Sequence, residues 1–110
     1  MTSSPITEVC FVLPPALILL DLAGAADAFR IAASMGLPVR LRMLSPVADG
    51  EVATTALGVG LAGMEPLPAQ LDDHAMIVVC GATGSGEQVL SSPASKALVA
   101  WLQRHGGPGR

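Results

Sequence analysis

An apolar run of six residues, Ala-Met-Ile-Val-Val-Cys at 75–80, passes directly into the glycine-rich segment 81–87. No polar residue alternates with the apolar ones, and this pattern predicts a central parallel strand buried on both faces of an α/β sheet. Glycines let the chain turn sharply at the carboxyl end of such a strand, where α/β sheets usually bind ligands. The pattern fits a ligand site, and it equally fits an ordinary βα turn whose glycines serve only geometry.

Composition limits the classes of protein. The 110 residues suffice for one small domain, and 51% hydrophobic against 14% charged residues argues against disorder. The net charge is −3 and the six basic residues are scattered, so a nucleic-acid-binding surface is not expected. The apolar stretch 9–20 is interrupted by two prolines and followed by Asp21. It predicts a strand and a helix start rather than a signal peptide or a membrane span.

The two cysteines, Cys10 and Cys80, both fall in predicted buried strands. This is typical of reduced thiols in a cytoplasmic protein and not of a disulfide framework. No cysteine–histidine cluster has the spacing of a metal site, and the glycines match neither a dinucleotide-binding nor a P-loop fingerprint. We therefore expect no metal and no cofactor.

The order of predicted elements is that of an α/β domain. It comprises a flexible tail at 1–6, a strand at 7–13, a helix at 17–35, a strand at 38–46, two short β segments within 52–61, at most a turn of helix within 65–73, the strand at 75–80 and a helix from 93 to 105. Pro15 suits the first position of the first helix, and Gly36 is a natural stop. Ser92 and Pro93 form a good N-cap and first-turn pair for the last helix.

The segment FVLPPALILLDLAG at 11–24, followed by Asp27-Ala-Phe29, resembles the first strand and helix of the ThiJ/PfpI superfamily. The segment LRMLSP at 41–46 and the turn at Gly81 resemble one branch of it, the N-terminal sensing domain of AraC-type transcription regulators. The resemblance implies the class I glutamine-amidotransferase-like fold, a flavodoxin-like doubly wound parallel sheet. Residues 7–110 would form about the first half of that domain or slightly more, so the chain resembles a truncated copy.

The resemblance also implies site residues. In catalytic members an acidic side chain on the first helix hydrogen-bonds the nucleophilic cysteine, and Asp21 matches that position. A glycine pair after the third core strand supplies an oxyanion-hole N–H, and Gly81-Ala82 stands there; alanine can donate its N–H if its φ is negative. Asp21, Gly81, Ala82 and Thr83 are therefore the candidate ligand-binding residues. The residues alone leave a second explanation for Asp21, which is a carboxylate that stabilises the first turn of a helix.

The family's nucleophile elbow and its histidine partner follow the helix that here ends at His105, and this chain encodes neither. Cys80 precedes the glycines and is not that nucleophile. The resemblance thus implies a non-catalytic ligand-sensing and oligomerisation domain of an AraC-type transcription regulator, lacking its DNA-binding half and responding to a small-molecule effector. The alternatives are a fragment of a ThiJ/PfpI-type cysteine-dependent hydrolase or hydratase, such as an isonitrile-hydratase-like enzyme, and a truncated chain with no independent function.

Self-association is the last expectation. The strand at 75–80 should lie beside 7–13, with 38–46 on the far side of the latter. The family strand that would cover its other edge lies beyond Arg110, which leaves an apolar edge without protecting charges or prolines. We therefore expect association between copies through this edge, and we expect a lysine in place of Val78 to unfold the protein or to change its association.

Overall fold

A computed structural model describes residues 5–46, 53–83 and 92–106. Its elements are β1 (Thr7–Val12), α1 (Leu19–Ser34), β2 (Val39–Ser45), β3 (Ala53–Thr54), β4 (Gly60–Leu61), β5 (Glu65–Pro66), β6 (Met76–Val79) and α2 (Pro93–His105). Strands β5, β2, β1 and β6 form a parallel sheet in that order, and β3 pairs antiparallel with β4. The α/β class, the parallel sheet and the two short segments within 52–61 are confirmed. The predicted glycine loop beyond 83 lies outside the described residues.

Strand β1 lies inside the sheet, and its side chains alternate between the two helices, as the pleat of a strand requires. Val9 and Phe11 belong to the apolar cluster that packs against α1, where the rings of Phe11 and Phe29 meet edge to face with centroids 6.0 Å apart. Cys10 and Val12 belong to the cluster that packs against α2. One helix therefore covers each face of the sheet.

The start of α1 differs from the prediction, although Leu22, Ala26 and Phe29 on one face of the helix pack against the apolar cluster of the sheet. The helix begins at Leu19, and Pro15 lies in a turn rather than at its first position. Leu17 forms β-bridges on both sides. Its backbone is extended in these bridges and is therefore not available for the first turn of a helix. The predicted stop is confirmed, because Gly36 has a φ of 103°.

Strand β6 lies where the sequence placed it, beside β1, with β2 on the other side of β1. The prediction that it is buried on both faces is wrong. Within the part of the chain that the structure describes, β6 is an edge strand, and its Met76 and Val79 are 42% and 49% exposed. Val78 is partly buried and packs against the cluster that contains Phe11 and Leu13.

The segment 65–73, predicted to form at most a turn of helix, contains none, and a strand that was not predicted, β5 at Glu65 and Pro66, lies beside the end of β2. Proline is compatible with an edge strand because it lacks only the N–H donor. The start of α2 is confirmed: the Ser92 hydroxyl accepts a hydrogen bond from the Ser95 N–H at 3.1 Å, and Pro93 occupies the first turn. Neither α1 nor α2 combines the length and apolar character that a membrane span requires.

Candidate functional site

The chain just before α1 lies against the chain just after β6. The Ile18 N–H donates to the Gly81 carbonyl at 2.8 Å, and the Thr83 N–H donates to the Ala16 carbonyl at 3.1 Å. These hydrogen bonds hold the predicted site residues that follow β6 at the start of the helix that carries Asp21. Both stretches lie past the carboxyl ends of parallel strands, the edge at which α/β sheets bind ligands.

The carboxylate of Asp21 lies directly against Gly81. A Cβ atom added to this glycine would stand 2.5 Å from the Asp21 Oδ2 atom, which is closer than real Cβ contacts allow. Any larger residue here would therefore have to displace the carboxylate from its position. Asp21 is also the acidic residue in the first turn of α1, where a negative charge is favourable. The position of Asp21 is therefore compatible with both explanations, a ligand-binding carboxylate and a carboxylate that stabilises the first turn of α1.

The direction of the Ala82 N–H follows from the pairing of Ala82 with Leu17. The two residues form an antiparallel bridge, and the hydrogen bonds of this bridge join the residues on either side of the pair. In such a pair the N–H points away from the opposite strand. In residues 5–46, 53–83 and 92–106, Ala16 is the one non-glycine residue with positive φ, so Ala82 meets the condition for donating its N–H outward. The exposed Thr83 adds a hydroxyl, which lies 3.4 Å from the Ala16 carbonyl oxygen.

Cys80 precedes this turn and is buried, and its N–H donates to the Val12 carbonyl at 3.2 Å. Burial raises the pKa of its thiol, and the negative charge of Asp21 raises that pKa further. Burial likewise raises the pKa of the Cys10 thiol. A protonated thiol is a poor nucleophile, so neither cysteine has the environment of a catalytic one.

Thiol reactivity should follow this burial. We expect iodoacetamide to modify Cys10 and Cys80 in the native protein at neutral pH at least about tenfold more slowly than in urea, because the thiols are both enclosed and protonated. Mass spectrometry of timed aliquots measures both rates. If native Cys80 were modified rapidly and Asp21→Ala slowed this reaction, Cys80 would be an activated thiolate beside Asp21. That outcome would contradict the conclusion that Cys80 is a buried, protonated thiol.

The sequence analysis missed the contribution of Ala16. Its φ of 57° is unusual for a residue with a Cβ, and its N–H donates to the Thr54 carbonyl at 3.0 Å. The backbone before the site is thus held from two sides, by β3 and by the turn after β6. The pair Pro14-Pro15 signals only that Leu13 and Pro14 are extended rather than helical, and no sequence pattern marks the positive φ of Ala16.

A charged cluster lies elsewhere on the sheet, at an open cavity of about 460 Å³. Arg42 forms a bidentate pair with Glu65, with both N–O distances at 3.1 Å. The Nη1 atom of Arg42 also lies 3.3 Å from the Oε2 atom of Glu8. Arg40 forms an ion pair with the same Glu8. Two cations and two carboxylates neutralise one another, so this cluster supports the sheet and offers no net charge to a ligand.

Acid should weaken this cluster. The hydrogen bonds from Arg42 hold the pKa of Glu65 below its usual value. A lowered folded-state pKa means that the pair stabilises the fold above the unfolded pKa of about 4.3, and that this contribution is lost as the pH falls through the folded value. Because the Glu65 side chain is 49% exposed, the contribution should be under about 1 kcal/mol.

Urea unfolding of the wild type and of Glu65→Gln, at neutral pH and near pH 3, measures the contribution of the Arg42–Glu65 pair to the free energy of unfolding. The difference in the free energy of unfolding between the two proteins should be present at neutral pH and smaller near pH 3. A difference that persists unchanged near pH 3 would show that the ionisation of Glu65 does not contribute.

No three His, Cys, Asp or Glu side chains within the described ranges are placed to hold a metal ion. Comparison with known protein families, with curated proteins and with solved structures finds no match to this chain. Membership of the ThiJ/PfpI superfamily is therefore a proposal that rests on the residues themselves.

Proposed function

We propose that the chain is a non-catalytic ligand-sensing domain of the ThiJ/PfpI type, like the sensing part of AraC-type transcription regulators, with a flavodoxin-like doubly wound sheet. The observation that carries the proposal is the Asp21 carboxylate held against Gly81 at the carboxyl ends of β1 and β6. This edge is where sheets of the class bind ligands. The resemblance assigns an acid and a glycine turn to the same two positions.

The polar groups of the site indicate the chemistry of an effector. Asp21 offers a hydrogen-bond acceptor with a negative charge, Ala82 offers a backbone N–H that points away from Leu17, and Thr83 offers a hydroxyl. A small molecule with an N–H donor next to a carbonyl acceptor matches this set, and a primary amide is the simplest example. The buried Cys80 supports sensing over the alternative of a cysteine-dependent hydrolase that uses a thiol of this chain.

Calorimetric titration with glutamine, nicotinamide and acetamide tests the proposal. We expect at least one of these amides to bind without turnover, and Asp21→Ala to weaken its binding about tenfold or more, because a hydrogen bond to a charged group contributes about 1.5–3 kcal/mol. Asp27→Ala is the matched control, since it removes an exposed carboxylate from the same helix, where Asp27 pairs with Arg30. Its affinity should be unchanged.

Gly81→Ala supplies a second variant, because the added Cβ would displace the Asp21 carboxylate from its position. It should weaken amide binding about as much as Asp21→Ala does. Equal affinity of the Asp21→Ala and Asp27→Ala variants, failure of all three amides to bind, or hydrolysis of any amide by the purified chain would contradict the proposal.

A further inference from the structure

Helix α1 has an apolar face on its solvent side as well as on its sheet side. Leu20 is 77% exposed, Ile31 is 49% exposed and Met35, just after the helix, is 82% exposed. These residues recur at helical spacing with two small ones and form one line along the helix, which we name the outer stripe: Leu20, Gly24, Ala28, Ile31 and Met35. A continuous apolar line on a helix surface is typical of a docking surface.

The outer stripe is complementary to itself. If two copies of α1 pack antiparallel about a two-fold axis between residues 27 and 28, Leu20 and Met35 lie equally far from that axis, and so do Gly24 and Ile31. Leu20 of each copy then meets Met35 of the other, and Ile31 of each copy meets Gly24 of the other. Each contact forms twice, as a two-fold interface requires.

Gly24 supports this arrangement because the fold of the single chain does not require it. A Cβ added to Gly24 would meet no atom within 4 Å. A glycine inside a helix destabilises it by about 1 kcal/mol relative to alanine. In the paired arrangement the missing side chain leaves a notch that receives the Ile31 side chain of the second copy and lets the helices approach closely.

Charge does not oppose the pairing. The exposed Asp27 and Arg30 flank the outer stripe and form an ion pair within one chain, with an N–O distance of 3.0 Å. Two copies therefore bring no unpaired like charges from these residues to the interface. The alternative surface, the edge of β6, offers only the four residues Met76–Val79.

We propose that the outer stripe is the homodimer interface of this protein. A helix of 16 residues is about 24 Å long and covers much less than the roughly 800 Å² per partner of a standard interface, so the dimer should be weak, with a Kd in the micromolar range or above. The stripe begins beside Asp21 but contains none of the residues of the Asp21 site, and the inference holds whether or not that site binds an effector.

Sedimentation equilibrium of the full chain, from about 10 μM to about 1 mM, tests the interface. Wild type should show a monomer–dimer equilibrium. Gly24→Gln should fill the notch and Met35→Lys should charge the stripe, and each should weaken dimerisation at least about tenfold. Leu57→Lys and Val79→Lys, at exposed apolar residues elsewhere, are the matched controls and should dimerise as the wild type does. Circular dichroism should show Gly24→Gln folded, with an unchanged or higher Tm.

Cross-linking gives a second readout. Ala28 lies next to the proposed axis, so Ala28→Cys should form a disulfide with its own copy under mild oxidation, whereas Ala23→Cys, off the stripe on the same helix, should not. The native Cys10 and Cys80 are buried and do not compete. A monomer at every concentration, a dimer that survives Gly24→Gln, or equal cross-linking at Ala23 and Ala28 would overturn the proposal.

Discussion

Trp101→Ala is expected to lower the free energy of unfolding by about 3–5 kcal/mol, and is the most damaging single truncation that we anticipate. Trp101 is 1% exposed and is the largest fully buried side chain of the described residues. It packs in the cluster beneath α2 with Cys10 and Leu44. A domain of this size has a total stability of only about 5–15 kcal/mol, so this one substitution should remove a large fraction of it and clearly lower the Tm and the urea midpoint.

The indole also makes a specific polar contact, because its Nε1–H donates to the Pro68 carbonyl at 2.7 Å. Trp101→Phe keeps an aromatic ring but removes this donor and leaves the carbonyl without that partner, so it should cost less, about 1–3 kcal/mol. Urea unfolding followed by circular dichroism measures all variants.

Val99→Ala is the control for Trp101→Ala, since Val99 lies on the same helix and is 40% exposed. Its stability should stay within about 0.5 kcal/mol of the wild type. If Trp101→Ala were no more damaging than Val99→Ala, α2 would not be held to the sheet through Trp101. The cluster that joins the helix to Cys10 and Leu44 would then need another explanation.

Sequence patterns predicted the elements whose signals are local. The apolar run of β1 and the Ser92-Pro93 cap of α2 specify their own structure, and the structure places both as expected. Gly36 likewise ends α1 through its own positive φ. In each of these cases the residues that specify the element lie within it or next to it.

The misplaced elements depend on partners that are distant in the chain. Leu17 is extended because it bridges Thr55 and Ala82, and no periodicity around Leu17 reports those contacts. Strand β5 forms because Glu65 lies beside the end of β2 and binds Arg42, which a window around Pro66 does not reveal. Local propensity competes with tertiary pairing, and in these two segments the pairing decides the outcome.

The candidate site was predictable only in part. The glycine turn after β6 indicated the edge of the sheet where a site belongs, but nothing in the periodicity places Asp21 against Gly81. The family resemblance assigned both residues to one site without predicting that they touch, and the structure brings them together. The direction of the Ala82 N–H depends on its bridge with Leu17, and a sequence pattern carries no information about it.

Lysine substitutions at two neighbouring positions of β6 should have opposite outcomes. Val78 lies opposite Phe11 in the sheet and is partly buried in the cluster beneath α1. Val78→Lys would bring an ammonium group into this apolar environment without a partner, so we expect a loss of several kcal/mol and a largely unfolded protein. Val79 is 49% exposed, and a lysine there can extend its ammonium group into water. Val79→Lys should therefore cost less than about 1 kcal/mol.

Thermal unfolding by circular dichroism, with sedimentation of the folded fraction, distinguishes the two variants. The two substitutions test different features of β6. Val78→Lys tests the packing beneath α1, and Val79→Lys tests the exposure of the strand edge. Lysine also protects exposed strand edges from pairing with other chains, so Val79→Lys should reduce any aggregation on heating while leaving the helix-mediated dimer intact. Equal loss of stability in both variants would mean that Val79 is as enclosed as Val78, and β6 would then not be an open edge.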